Sequence, residues 1–408
     1  GRAILLGEWP VSEVERVDIQ LKGAGQTSYS RGGDGKSPVG PVVREYLVSE
    51  AMHHLGVPTT RALAAIATGD PVYRSYQEPG AVLVRVAKSH LRFGSIQYFA
   101  MTKDGEGLAE LVSYAADRHF ADSVLAKNAK SVEAKAEVLL EETVKRIATL
   151  IAQWQSLGFV HGVMNTDNML LSGETIDYGP CAFIDTFKAD AKFSAIDTQG
   201  RYRLSNQPGI AHWNTSVLAS CLLKVLNTKE EAAVAYAQTV VDEFPSWYTT
   251  AYKSQIAVKL GLDAFRPDDT QLHDQFLTVL ERDALDHTLA YRWLVHEALQ
   301  DGGHTPISEL FTPSDGLRTW VKDWQLRRAD NSVENSETAH KMQHAKPVVI
   351  PRNHQVAEAI ARAETGDYDY LQSAFERWKQ PYEWQDQDRN WAAAPEPSER
   401  VHQTFCGT

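Results

Sequence analysis

Five polar residues are spaced so that they could act together on a nucleotide. Lys22 closes an alternating segment, and Glu45 lies in the apolar stretch that follows. Far downstream, His-Gly-Val-Met-Asn-Thr-Asp-Asn (161–168) supplies Asp167 and Asn168, and Asp177 opens an Asp-Tyr-Gly tripeptide nine residues after Asn168. Carboxylate and amide oxygens are hard ligands suited to Mg²⁺ that also holds phosphates. A lysine steadied by a glutamate can set positive charge against the same phosphates. Gly-Ala-Gly (23–25) and Arg-Gly-Gly-Asp-Gly (31–35) bring backbone N–H groups and loop freedom beside Lys22.

Taken singly, each residue has a bland reading. A lysine at a strand end is usually solvated, a helical glutamate usually faces water, Asp-Tyr-Gly is a turn signal, and His161 suits a structural role. The ordered set is the argument, and it resembles the protein-kinase arrangement of strand Lys, helix Glu, catalytic-loop Asn and metal-binding Asp before a Gly. One position breaks that pattern. A kinase carries its base Asp five residues before the Asn, and here that residue is Val163, which cannot accept a proton. Asp167 is the nearest alternative carboxylate.

The elements that must position these groups are partly visible. Val17, Ile19 and Leu21 alternate within Arg16–Lys22 and predict a strand. Pro41 opens a predicted helix over 42–55, with Val43, Leu47 and Leu55 as its buried side. Residues 81–87 predict an apolar strand interrupted by Arg85, whose charge needs a partner if buried. Residues 107–157 predict helix, with Leu140, Val144, Ile147, Ile151 and Trp154 as a packed stripe and Gly158 as the stop. Two short segments, 159–168 and 175–184, follow. From about residue 210 the pattern is mostly helical. A polar stretch, 327–346, is expected to separate a last helix-like segment, 354–378, from a tail containing Pro and Trp.

Composition narrows the classes. Asp and Glu total 53 against 41 Lys and Arg, a net charge of −12, which excludes the basic footprint of a constitutive nucleic-acid binder. No apolar run approaches the roughly 20 residues of a membrane span. Cys181, Cys221 and Cys406 are too few and scattered for a disulfide framework or structural zinc site, so a reducing compartment is expected. The chain opens at Gly1 with no Met, and we expect that it lacks its true N-terminus.

Longer stretches carry a family resemblance. They include Gly-Arg-Ala-Ile-Leu-Leu-Gly-Glu (1–8), Leu-Lys-Gly-Ala-Gly (21–25), Tyr-Ser-Arg-Gly-Gly-Asp-Gly (29–35) and Arg-Glu-Tyr-Leu-Val-Ser-Glu-Ala-Met-His (44–53). Arg-Val-Ala-Lys-Ser-His-Leu-Arg-Phe-Gly (85–94), residues 161–169, Thr-Ile-Asp-Tyr-Gly-Pro (175–180), Gly-Arg-Tyr (200–202) and Asn-Gln-Pro (206–208) continue it. The chain resembles the selenoprotein O family, also called the YdiU family, densely over 1–215 and more thinly beyond.

The resemblance implies an α+β fold, a protein-kinase-like two-lobed structure with a mostly helical C-terminal extension. The expected units are an N-lobe over 1–100, a helical C-lobe with the metal site over 101–325, and an extension with a Cys-containing tail over 326–408. It implies an enzyme that moves AMP from ATP, or UMP from UTP, to Ser, Thr or Tyr hydroxyls of proteins, with the nucleotide reversed relative to kinases. Carried over by position, Gly1, Arg2, Lys22, Asp34, Gly35, Arg85 and Arg92 would bind the nucleotide, and Glu45 would pair with Lys22. Asp167 would accept the proton, and Asn168 and Asp177 would hold Mg²⁺ or Mn²⁺. The tail implies a redox link, for which Cys181 with Cys406 is a candidate against two reduced thiols. A monomer without nucleic-acid or membrane partners is expected, in a bacterial cytoplasm, or in a mitochondrion if the source is eukaryotic. A γ-phosphoryl transferase using Asp167 as base, and an inactive nucleotide-binding scaffold, remain as alternatives.

Overall fold

The computed structural model describes residues 2–13, 15–30, 32–74, 76–299, 306–385 and 388–405, so Gly1 and Cys406 lie outside the described residues. The architecture is α+β. Its sheet comprises β1 (Ala3–Pro10), β2 (Arg16–Lys22), β3 (Ser37–Pro38), β4 (Arg61–Tyr73) and β5 (Gln77–Ala87), with α1 (Val39–His54) inserted after β3. All pairings are antiparallel: β1 on β2, β2 on β5, and β3 and β4 each on β5. The register sets Gln20 opposite Arg85 and Lys22 opposite Leu83.

The strand predicted at Arg16–Lys22 is present, but its buried face is the polar one. Asp18, Gln20 and Lys22 are buried while Val17, Ile19 and Leu21 are half-buried. The inward side meets ionic partners instead of a greasy core, so alternation located the strand without revealing which side faces in. The helix predicted from 42 begins at Val39 and keeps Pro41 in its first turn, where no intrahelical N–H is lost. The strand predicted at 81–87 begins earlier, at Gln77.

Next come α2 (Phe93–Thr102), α3 (Gly105–Phe120) and α4 (Val132–Leu157). The helical stretch predicted over 107–157 is thus two helices with a break between them. Ser131 caps α4 by accepting from the Ala134 N–H, the predicted stripe is buried, and Gly158 ends the helix at φ 70°. A small ribbon of β6 (Phe159–Val160) and β7 (Ala182–Phe183) frames the loop that carries Asp167, Asn168 and Asp177.

The remaining chain is helical: α5 (Gln207–Leu226), α6 (Glu230–Asp242), α7 (Phe244–Leu260), α8 (Asp269–Arg282), α9 (His287–Leu299), α10 (Ile307–Leu310), α11 (Asp315–Ala329), α12 (Asn335–Ala345), α13 (Asn353–Glu364), α14 (Asp369–Trp378) and α15 (Asp388–Ala392). The polar stretch expected to separate elements contains α12, which buries Ala339 and Met342. The segment predicted at 354–378 is two helices, broken near Gly366 at φ 87°. Both pack on α1, and the Tyr382 hydroxyl donates to the Leu55 carbonyl at 2.9 Å. The last helices therefore brace the helix that carries Glu45.

A group of cations is buried among α7, α9, α11 and α12. Lys259 and Lys346 both stand over the Tyr291 ring, at 4.8 and 5.7 Å from its centre. Lys259 donates to the Ser156 carbonyl, while Lys346 Nζ is fully buried with no hydrogen-bond partner. Arg292 donates to the Gln343 and Lys346 carbonyls, each at 3.1 Å.

Candidate active site

The cleft is built on the polar face of β2 and β5. Lys22 Nζ donates to Glu45 Oε2 at 2.6 Å and also pairs with Asp177. Arg85 Nε donates to Glu45 Oε1 at 2.7 Å, and its other nitrogens reach Asp177 Oδ1 at 3.2 Å and Gln20 Oε1 at 3.3 Å. The charge that interrupts the apolar strand thus has two carboxylate partners. Burial alone would raise the Glu45 carboxyl, but Arg85 and Lys22 hold it below its ordinary range. Asp177 is held well below its range against burial by Lys22, Arg85 and Arg92. Both acids stay ionised at neutral pH.

Asp177 is fixed from both sides. Thr175 accepts from the Trp154 indole N–H at 3.0 Å, and Tyr178 bonds Thr59. His161 is fully buried, contacts the Ile176 carbonyl at 2.8 Å and stacks on Trp154, so its role is structural. Between these anchors Asp177 adopts φ 70°, an uncommon state for a residue with a side chain. The other non-glycine residues with positive φ among those described, Lys103 and Ala284, sit just past helix ends. Strain of this kind gathers at functional sites.

The loop bearing Asp167 and Asn168 hangs from α5. Gln207 accepts from the His161 N–H and donates to the Phe159 carbonyl, both at 2.9 Å, and Asn214 donates to the Met164 carbonyl at 2.8 Å. This explains the Asn-Gln-Pro stretch physically. Asn168 Nδ2 donates to the Val163 carbonyl at 2.9 Å, which leaves its side-chain oxygen for a ligand. Asp167 is exposed, and its backbone carbonyl accepts from Arg92 at 2.6 Å. Burial and the repulsion of Arg85 lower the Arg92 guanidinium from its ordinary value.

Arg2, Lys22, Asp34, Gly35, Glu45, Arg85, Arg92, Asp167, Asn168 and Asp177 all line one cleft of about 630 Å³, together with Val163. Of the residues expected at the site, Gly1 alone is not placed, because it lies outside the described residues. Gly35 is held at φ 68° where a Cβ would run into the Gly25 carbonyl, so the loop needs glycine there.

Sequence reasoning missed two contributors. Arg74 grips Asp34 with two nitrogens, each at 3.0 Å, and holds its carboxyl below the ordinary range. No local signal marks it. Gly94 faces Asp167, and a methyl group there would collide with the carboxylate. Gly94 ends one of the matched stretches, so a signal existed. Cys181 is buried, with its thiol pushed up to about 12 by burial, and no disulfide forms among the described residues.

A cleft with several fixed cations, an amide oxygen and an ionised acid suits a polyphosphate chain together with a metal. Comparison with known proteins agrees with that chemistry. The family model described as "Protein adenylyltransferase SelO" matches residues 1–379. A protein nucleotidyltransferase YdiU of Geobacillus kaustophilus is 47% identical over all of this chain and 82% of its own length. Those of Maridesulfovibrio salexigens and Rhizobium meliloti are each 44% identical over the whole chain, covering 81% and 82% of their own lengths. The chain belongs to the SelO family of nucleotidyltransferases.

Proposed function

We propose that the protein transfers AMP from ATP to Ser, Thr or Tyr hydroxyls of other proteins, working as a monomer in the bacterial cytoplasm. The sheet with α1 and the helical remainder correspond, in this reading, to the two lobes of a protein-kinase-like fold. The observation that carries the proposal is the pairing of a well-furnished cleft with Val163. Cations suited to phosphate and hard oxygens suited to a metal line it, yet the residue at the kinase base position has no proton acceptor. Such a site is poorly suited to γ-phosphoryl transfer and compatible with a reversed nucleotide.

Asn168 and Asp177 would hold Mg²⁺ or Mn²⁺. The fit is chemical: both offer hard oxygens, Asp177 stays ionised, and the Asn168 oxygen is left available by the bond its nitrogen makes. Among the described residues no group of three or more His, Cys, Asp or Glu could hold a metal alone, so phosphate oxygens would complete the shell. When bound, the metal neutralises phosphate charge.

This chain's own residues would do the rest. Asp167 takes the proton from the acceptor hydroxyl. The hydroxyl oxygen bonds the α-phosphorus as the α–β bridging bond breaks, and pyrophosphate leaves with that electron pair. Lys22, Arg85 and Arg92 offset the charge that develops on the leaving group. Glu45 holds Lys22 and Arg85 in place. Asp34, Gly35 and Arg2 would contact the remainder of the nucleotide.

Separately labelled ATP tests the proposal. Incubation with a bacterial lysate should place the α-label on protein and leave the γ-label in pyrophosphate. Label from the γ-position on protein would establish the kinase alternative, with Asp167 as base. Tight ATP binding with neither label transferred would establish the scaffold. UTP run in parallel decides between AMP and UMP as the transferred group.

A further inference from the structure

A second cavity, of about 610 Å³, adjoins the nucleotide cleft and shares Pro41, Arg74 and Ile196 with it. Arg44 lines it. One residue along α1 from Glu45, Arg44 is turned about 100° away from the cleft by helix geometry. It is only 7% exposed, and the ionisable group facing it is the Cys181 thiol, which burial keeps protonated; its side chain makes no hydrogen bond or ion pair among the described residues. A buried cation without an anion is costly. Ser194 Oγ, buried and also without a hydrogen-bond partner, lines the same cavity.

The rim is the reverse. Tyr76, Ile196 and Phe405 line the cavity at 66%, 64% and 66% exposure. Exposed apolar side chains around a buried arginine resemble the anchor points of protein interfaces. At the α13 side, Glu78 and Glu364 also line the cavity, and burial with mutual repulsion raises the Glu364 carboxyl. That pair would repel a run of acids, while one carboxylate at Arg44 would be welcome.

We propose that this cavity seats a segment of the acceptor protein, with Arg44 and Ser194 binding one acidic side chain close in sequence to the modified hydroxyl and the rim gripping apolar neighbours. The inference rests on the protein-acceptor reading above and adds a substrate preference to it. Continuity with the cleft is what favours an acceptor over an unrelated ligand: a segment lying here can run on past Pro41, Arg74 and Ile196 into the cleft that holds Asp167, Asn168 and Asp177.

Binding tests this without requiring transfer. Fluorescent peptides with a central tyrosine, apolar neighbours and a single Glu moved one residue at a time would be compared with Gln counterparts by anisotropy. At least one Glu peptide should bind the full chain about tenfold tighter than its counterpart, and Arg44→Gln should erase the difference. Equal binding of every Glu and Gln pair, or a preference that survives in Arg44→Gln, overturns the proposal. Should Arg44→Gln fail to fold, Ile196→Glu at the exposed rim must weaken the preferred peptide, and unchanged binding would overturn the proposal equally. Absence of α-label transfer alongside intact Glu-selective binding would count against the function and not against this site.

Discussion

The cleft cluster of Lys22, Glu45, Arg85 and Asp177 and the helical cluster of Lys259, Arg292, Arg328 and Lys346 both bury charge, with opposite electrostatic results. In the cleft each cation faces a carboxylate, and the acids are driven down and remain ionised. Around Tyr291 no carboxylate pairs with Lys259 or Lys346 among the described residues. There burial drives Lys259 down to about 7, and drives Lys346 well below its ordinary value, with Lys259, Arg292 and Arg328 adding to the fall. Burial by itself therefore does not mark an active site. What distinguishes the cleft is that its charges are balanced, preserved and open to a ligand.

The largest expected effect is at the cleft's strained acid. Asp177→Ala should cost on the order of 100- to 1000-fold in AMP transfer, read with α-labelled ATP, because a positioned charge is lost from the cleft. Near-normal transfer would remove Asp177 from the chemistry.

The next two changes set the clusters against each other. Glu45→Gln leaves Lys22 and Arg85 sharing one acid and should destabilise the fold by about 3 kcal/mol in chemical denaturation. Lys346→Met removes a buried amine with no partner and should stabilise it by about 1–3 kcal/mol. Shifts of the same sign would end the contrast.

Gly94→Ala should lower kcat about tenfold by displacing Asp167, about 1.4 kcal/mol, with KM for ATP little changed. A changed KM with unchanged kcat would tie Gly94 to nucleotide binding instead.

The clusters should also separate by pH. The Glu45 and Asp177 carboxyls titrate lower in the fold than in the open chain, so their stabilisation is present above pH about 4 and is lost as pH falls further. Lys259 runs the other way: between its folded value of about 7 and its ordinary 10.5, the unfolded chain binds more protons. Stability should then rise with pH, by at most about 1.4 kcal/mol per unit. Lys346 is depressed in the same direction and adds a rise of its own, so Lys259→Met should lessen the alkaline rise without abolishing it and leave the acid loss intact.

Particular residues show what was legible in the sequence. The α4 stripe and the strand at Arg16–Lys22 were visible because packing imposes a period. Arg85 was visible as a charge that demanded a partner, and Glu45 proved to be that partner as well as Lys22's. β4 was missed because its Ala, Gly and Thr content is weakly patterned and most of it is exposed. The inward polar face of β2 was missed because it depends on groups on other elements, from Glu45, 23 residues beyond Lys22, to Asp177, 155 residues beyond it. Residues 335–345 read as polar linker because only a narrow face of α12 is apolar. Arg74 and the bracing of α1 by α13 and α14 arise from long-range packing, which local spacing does not encode.

That bracing bears on when the molecule can first work. A ribosome releases α1 early, but α13 and α14, which cover one side of it, emerge about 300 residues later. Until Trp378 has left the exit tunnel, the helix carrying Glu45 rests on β4 and β5, and one side of it stays uncovered in the half-made chain.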